Sequence, residues 1–221
     1  MAKALATKAG GNVLPLLDRP MPPADMIHGE GWAFRAAPEV SDWIHRAFID
    51  EAGPLHFPGH AHLAEAHIGV LWTIIENTRQ GRRIVGMAEM PSRSKQGGKW
   101  ARARATQQIE AWFGVEPDFL ITLDAVYAAE ASDADFCALV DHELCHCAQD
   151  IDVYGAPKFH KDSGLPAFTI RGHDVEEFTS VVRRFGPGQE VQALIDAAAR
   201  PPEIAPARIS QACGTCQRRT A

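Results

Sequence analysis

Leu139-Val140-Asp141-His142-Glu143-Leu144-Cys145-His146-Cys147-Ala148 is the stretch from which the rest of this 221-residue chain is read. It contains His-Glu-x-x-His. On a helix, residues four apart lie about 40° apart around the axis, so His142 and His146 share a face. Two imidazoles so placed can grip one Zn²⁺, and Glu143 beside them can act as general base on water activated by the ion. Cys137, Val140, Leu144, Cys147 and Ile151 recur at alternating three- and four-residue spacing, an apolar stripe opposite the histidines. The helix is therefore expected to press one side into a core and turn the other toward a cleft. Ser132, followed by Asp133 and Asp135, supplies an N-cap and an acidic first turn.

A catalytic zinc takes three protein ligands and leaves one position open. Downstream, Gly172-His173-Asp174-Val175-Glu176-Glu177-Phe178 reads as the opening of a helix running to about Phe185, with Gly186-Pro187 as its stop. His173, Glu177, Ser180 and Arg184 would share its polar front; Val175, Phe178, Val182 and Phe185 would form its apolar back. His173 is the expected third ligand, with Glu177 and His160 as the alternatives. Asp141, Asp174 and Glu176 are candidates to orient the ligand imidazoles from behind. Tyr154, His160 and Arg171 are candidates to stabilise an oxyanion. Cys145 lies between the two histidines, as a small buried side chain or as a competing thiolate.

Upstream of the motif, Pro117 to Asp124 reads as a strand, as does the apolar, β-branched run Ile68 to Ile75. Arg82 to Met90 is a third strand, expected to pair with Ile68–Ile75 as a hairpin. Pro38 to Ala52 reads as a helix with Val40, Trp43, Ile44, Ala47 and Phe48 on one side, stopped by Gly53-Pro54. A further helix is expected over Trp100–Phe113, ended by Gly114, and a last one over Gly188–Ala199. His56, His60, His62 and His67 cluster, but their spacing matches no closed zinc set, so they read as surface or cleft-lining residues. Asp152 to Thr169 is a long connection.

Three regions follow: a loosely ordered lead-in over 1–38, with Trp32 and Phe34 anchoring its end, a principal domain over 39–200, and a tail over 201–221. The tail carries one Cys-x-x-Cys, Cys213 and Cys216, which offers two zinc ligands rather than four. It reads as a flexible thiol-bearing tail, with a structural zinc site as the alternative.

A net charge of −6 speaks against a protein dominated by nonspecific nucleic-acid binding. A local basic cluster, Lys95, Lys99, Arg102 and Arg104, remains, either a solvated helix face or a weak contact to nucleic acid or an acidic partner. The start of the chain lacks an apolar signal segment and no run is long enough to span a membrane. Five cysteines, an odd number, read as reduced thiols. The expectation is a cytoplasmic protein without membrane contact.

The chain resembles the phage metallopeptidase family, itself similar to the SprT-like zincin metalloproteases. The residues that carry the likeness are Phe119–Leu123, Leu139–His146, and His173–Phe178 with Arg184-Phe185-Gly186; Ile68–Trp72 and Gly81–Ala88 are also similar. The likeness covers about residues 60 to 186. It implies an α+β, zincin-like domain of minigluzincin size, a small mixed β-sheet packed against the active-site helix with additional helices. It implies one Zn²⁺ held by His142, His146 and a later residue, Glu143 as the catalytic group, and a protein or peptide substrate. It also implies phage origin and action inside a bacterial cell. SprT-like proteins carry a separate zinc-ribbon tail and act on DNA-bound proteins; this tail has a single Cys-x-x-Cys and the chain is acidic. Two other readings stand beside the peptidase: a non-catalytic zinc-binding module, such as an inhibitor of a host protein, and a nucleic-acid-associated factor using Lys95–Arg104.

Overall fold

A strand whose residues are apolar throughout must be covered on both faces, and Ile68–Thr73 is buried along its whole length. The computed structural model describes residues 19–29, 33–79, 81–94, 97–207 and 212–213. In chain order the elements begin with α1 (Ala24–Ile27), β1 (Phe34–Ala36) and α2 (Pro38–Ile44), which continues as a π-helical turn over His45–Ile49. A 3-10 helix (Pro58–Glu65) leads to β2 (Ile68–Thr73), β3 (Asn77–Arg79) and β4 (Arg82–Glu89). Then come α3 (Pro91–Ser94), α4 (Lys99–Phe113), β5 (Phe119–Asp124), α5 (Ala125–Glu130) and α6 (Asp133–His146). The chain closes with β6 (Cys147–Gln149), β7 (Phe168–Ile170), α7 (Thr179–Phe185), α8 (Gln189–Ala198) and β8 (Ala212–Cys213). The architecture is mixed α and β.

The main sheet runs β1-β2-β5-β4-β3, with β8 also paired to β4. β5 lies parallel to β2, Ile68 opposite Phe119 and Thr73 opposite Asp124. It lies antiparallel to β4, Gly86 opposite Leu123. The expected hairpin between Ile68–Ile75 and Arg82–Met90 therefore does not form. β5 separates the two runs, because an all-apolar strand such as β2 is best buried beside another of the same kind. The hairpin partner of β4 is β3, which the sequence reading missed. It also follows that β5 is central and has no free edge.

Alternation along the strands divides the sheet into two faces. Val70, Trp72, Ile121, Leu123 and Ala88 join the core with α2 and α6. There Phe136 packs with its ring centroid 5.9 Å from that of Trp43 and 6.1 Å from that of Trp72. Leu71, Leu120, Thr122 and Met87 turn the other way and, with Ile109 and Trp112 of α4, line a cavity of about 470 Å³.

The helix expected to Ala52 stops at Ile49, ahead of Gly53-Pro54; its five predicted core residues are all buried. α4 runs as expected and ends at Gly114, whose φ of 79° is the left-handed cap that glycine supplies. The predicted helix from Gly172 is shorter. Gly172 to Phe178 is not helical, α7 starts at Thr179, and the expected apolar back is not buried: Val175 and Val182 are half-buried, Phe178 is 76% and Phe185 77% exposed. Those residues alternate at helical spacing, but among the described residues none of them enters the core. α8 likewise buries none of its residues.

In the lead-in, Met26 is fully buried, Arg35 pairs with Asp25, and Phe34 meets the Trp112 ring at 6.4 Å between centroids. Trp32, Lys95 and Cys216 lie outside the described residues. Among the described residues no helix is long and apolar enough to cross a membrane.

Candidate metal centre

α6 begins where the sequence says it should. The Ser132 hydroxyl accepts from the Asp135 backbone N–H at 3.2 Å, and Asp133 and Asp135 fill the first turn. Arg19 braces the same end, 2.6 Å from Asp133 and bonded to the carbonyls of Ala128 and Ala131. Cys137, Val140, Leu144 and Cys147 are buried, as the apolar stripe requires. Ile151 does not belong to it, since the helix ends at His146 and Ile151 is 58% exposed. The polar side is also not simply turned to an open cleft: Glu143 is fully buried and His146 is 2% exposed.

What buries them is the chain on either side. β6 follows α6 at once and pairs with β7, Cys147 opposite Ile170. This lays the next residues back across the helix end. The Arg171 backbone N–H donates to the His146 carbonyl at 3.1 Å. His146 Nδ1 in turn donates to the Arg171 carbonyl at 2.7 Å. His173 follows two residues later, on an extended segment rather than at the head of a helix.

The three imidazoles converge. His142 Nε2 is 3.2 Å from His146 Nε2 and 3.2 Å from His173 Nε2. Ring centroids are 4.9, 5.0 and 5.1 Å apart, a nearly equilateral arrangement. Because Nδ1 of His146 carries the proton it gives to Arg171, its Nε2 presents a lone pair to the point where the rings meet. Burial, then the neighbouring His146, lowers the His173 pKa below the usual histidine range, which favours the neutral form a metal takes. Nitrogens bound to a tetrahedral zinc at 2.0–2.1 Å stand about 3.3 Å apart, so the observed spacing fits such an ion.

A fourth ligand atom joins them. Cys213 Sγ lies 3.2 Å from His146 Nε2 and 3.9 Å from Glu143 Oε2. The ligand atoms of His142, His146, His173 and Cys213 all lie within 4.8 Å of one another. From the sequence, Cys213 is expected in a thiol pair on a flexible tail. Nothing local to it signals a partner 67 residues away, and only the pairing of β8 with β4 brings it in.

The other candidates fall elsewhere. The Glu177 carboxylate accepts from the Phe178 backbone N–H at 2.7 Å, and His160 is exposed in the loop after β6. Neither is among the gathered ligand atoms of the described residues. Asp174 takes a hydrogen bond from the Arg171 guanidinium at 3.1 Å; the group behind His146 is the Arg171 carbonyl, while the charges of Glu176 and Asp174 act on His173. Asp141 instead meets His60, Nε2 to Oδ1 at 2.8 Å. Tyr154 is 91% exposed.

The histidine-rich patch turns out to be bracing. His60 is buried on Asp141, His62 Nε2 lies 2.7 Å from the Cys147 carbonyl, and His56 Nδ1 lies 3.2 Å from the Ile49 carbonyl. His60 and His62 tie the 3-10 helix to α6 and to the start of β6, and His56 ties the connection before it to the end of the π-helical turn. Cys145 sits beside His60 and Asp141, away from the three imidazoles. Burial, then Asp141, raises its thiol to about 11.

The sequence model of the family described as "Putative phage metallopeptidase" matches residues 41–199. No curated protein and no solved structure matches the chain.

Proposed function

As this chain belongs to the phage metallopeptidase family, we propose that it is a zincin-like, zinc-dependent peptidase with Glu143 as its general base. The observation that carries the reading is the meeting of three imidazole Nε2 atoms, 3.2 Å apart in two of the pairs, beside a helix that carries two of them and buried Glu143. The two histidines come from one face of α6 and the third from the segment that β7 lays across it.

His142, His146 and His173 would hold the ion. Zinc so bound supplies a Lewis acid that polarises a peptide carbonyl and makes water acidic near neutral pH. Glu143 takes the proton of the attacking water and passes it to the departing amine. Its burial keeps competing solvent from the carboxylate. The Arg171 carbonyl holds the His146 ring in one tautomer throughout.

The test joins metal content to turnover. Protein purified without added metal is expected to carry one zinc per chain and to cleave an unstructured substrate such as casein. Glu143→Gln should lose about 10²–10⁴ of the rate while keeping its zinc. Absence of zinc, or full activity in that variant, would end the proposal.

One observation favours a second reading. With Cys213 in place, four protein atoms surround the centre, as in a closed, non-catalytic zinc module. Coordination number measured by X-ray absorption on the zinc protein separates the two. As for partners, Lys99, Arg102 and Arg104 are exposed on α4 beside Trp100, itself 85% exposed. Weak nucleic-acid binding there is expected to fall steeply with salt.

A further inference from the structure

Cys213 arrives by strand addition. β8 is two residues long and pairs in parallel with β4, Ala212 opposite Ile84 and Cys213 opposite Gly86, with a bulge between the pairs. Gly86 also lies tight against α6, since a Cβ built there would stand 2.8 Å from Glu143 Oε1. So the register that pairs Cys213 with Gly86 delivers its thiol beside both Glu143 and the imidazoles. The sulfur stands 3.2 Å from His146 Nε2, against about 3.5 Å for a thiolate and an imidazole sharing one tetrahedral zinc.

We propose that Cys213 is a displaceable fourth ligand of the same metal, and that the tail strand occupies the place on β4 where an extended peptide substrate pairs. The inference rests on the metal reading above. Two features make the ligand displaceable. Among the described residues the tail strand is Ala212–Cys213 with a bulge in its pairing, and backbone bonds of that kind are ones an incoming peptide can replace. On release the sulfur–metal bond breaks, and the thiolate leaves with its electron pair and takes a proton from solvent. β5 is flanked by β2 and β4, whereas β3 pairs with β4 only over Arg82–Ile84, so it is β4 that takes a further strand at Gly86. β4 meets α6 at Gly86 and Leu139, so a peptide added there passes Glu143.

The experiment uses the full chain with Co²⁺ exchanged into the site. Wild type should show a thiolate-to-cobalt charge-transfer band in the near ultraviolet. Cys213→Ala should lose the band yet retain one cobalt per chain, and Cys145→Ser should keep both. Acetohydroxamate, a chelating probe for an open metal position, should bind Cys213→Ala about tenfold more tightly, as expected if the tail is docked in about nine molecules of ten. A band that survives in Cys213→Ala overturns the proposal, as does cobalt-loaded wild type without a band. Metal loss from Cys213→Ala, or equal affinity for acetohydroxamate, overturns displaceability. Failure of wild type to bind cobalt sinks the metal reading as well, which separates the two failures.

Discussion

Gly86 of β4 lies directly against Glu143 of α6: a Cβ at residue 86 would come 2.8 Å from the Glu143 carboxylate and 2.8 Å from Leu139 Cδ1. Both neighbours are buried, so neither has open space to move into. Gly86→Ala is expected to lower stability by about 1–3 kcal/mol through overpacking. It should cost activity more than zinc, because the carboxylate is displaced and the imidazoles are not. Thermal unfolding, zinc content and casein cleavage on one preparation check this.

Asp141 matters for architecture rather than for the ligands. It is the partner of His60, which is 2% exposed, at 2.8 Å. Asp141→Ala strands a buried imidazole and should destabilise the protein by about 1–3 kcal/mol. The urea midpoint should fall while zinc binding persists. Loss of zinc with stability unchanged would show that Asp141 serves the metal instead.

Phe136 joins α6 to the rest of the core through Trp43 and Trp72, and the Arg19 guanidinium covers its ring at 4.8 Å from the centroid. Phe136→Ala should cost about 3–5 kcal/mol. Chemical denaturation of the metal-loaded protein reads the value directly.

Metal removal should be felt globally. On the proposed function the ligands would come from α6, from the segment after β7 and from β8, so the ion would link distant parts of the chain. A ligand present at about a thousand times its Kd stabilises by about 4 kcal/mol. Chelator should lower the melting temperature and added zinc should restore it.

Cys137 provides a pH signature away from the metal. Burial, then the Asp133 carboxylate, raises its thiol from 9.0 to about 11. The folded pKa is the higher one, so its stabilising contribution is whole below pH 9 and drains as pH rises toward 11. Between those limits the urea midpoint of wild type should fall more steeply with pH than that of Cys137→Ala. Parallel slopes would refute the assignment.

Much of the fold was legible before any coordinates. The Ser132 cap, the buried stripe of α6, the strands β2, β4 and β5, and the α4 helix with its Gly114 cap are written in local patterns. Such patterns record which residues a single element must bury and how it must end, and both are short-range demands. Where the pattern misled, it did so for want of a surface. The Gly172–Phe185 alternation is helical in period, but among the described residues none of its apolar side is fully buried, and only Thr179–Phe185 forms helix.

By itself, then, the sequence determined that His142, Glu143 and His146 ride together on one helix, because four residues along a helix make one turn whatever surrounds it. Tertiary structure alone decided what meets them. The β6–β7 pairing swings His173 across the helix end, and the parallel pairing of β8 with β4 carries Cys213 in from the far end of the chain. Such pairings depend on which strand edges remain open once the core has formed, and no stretch of local sequence encodes that.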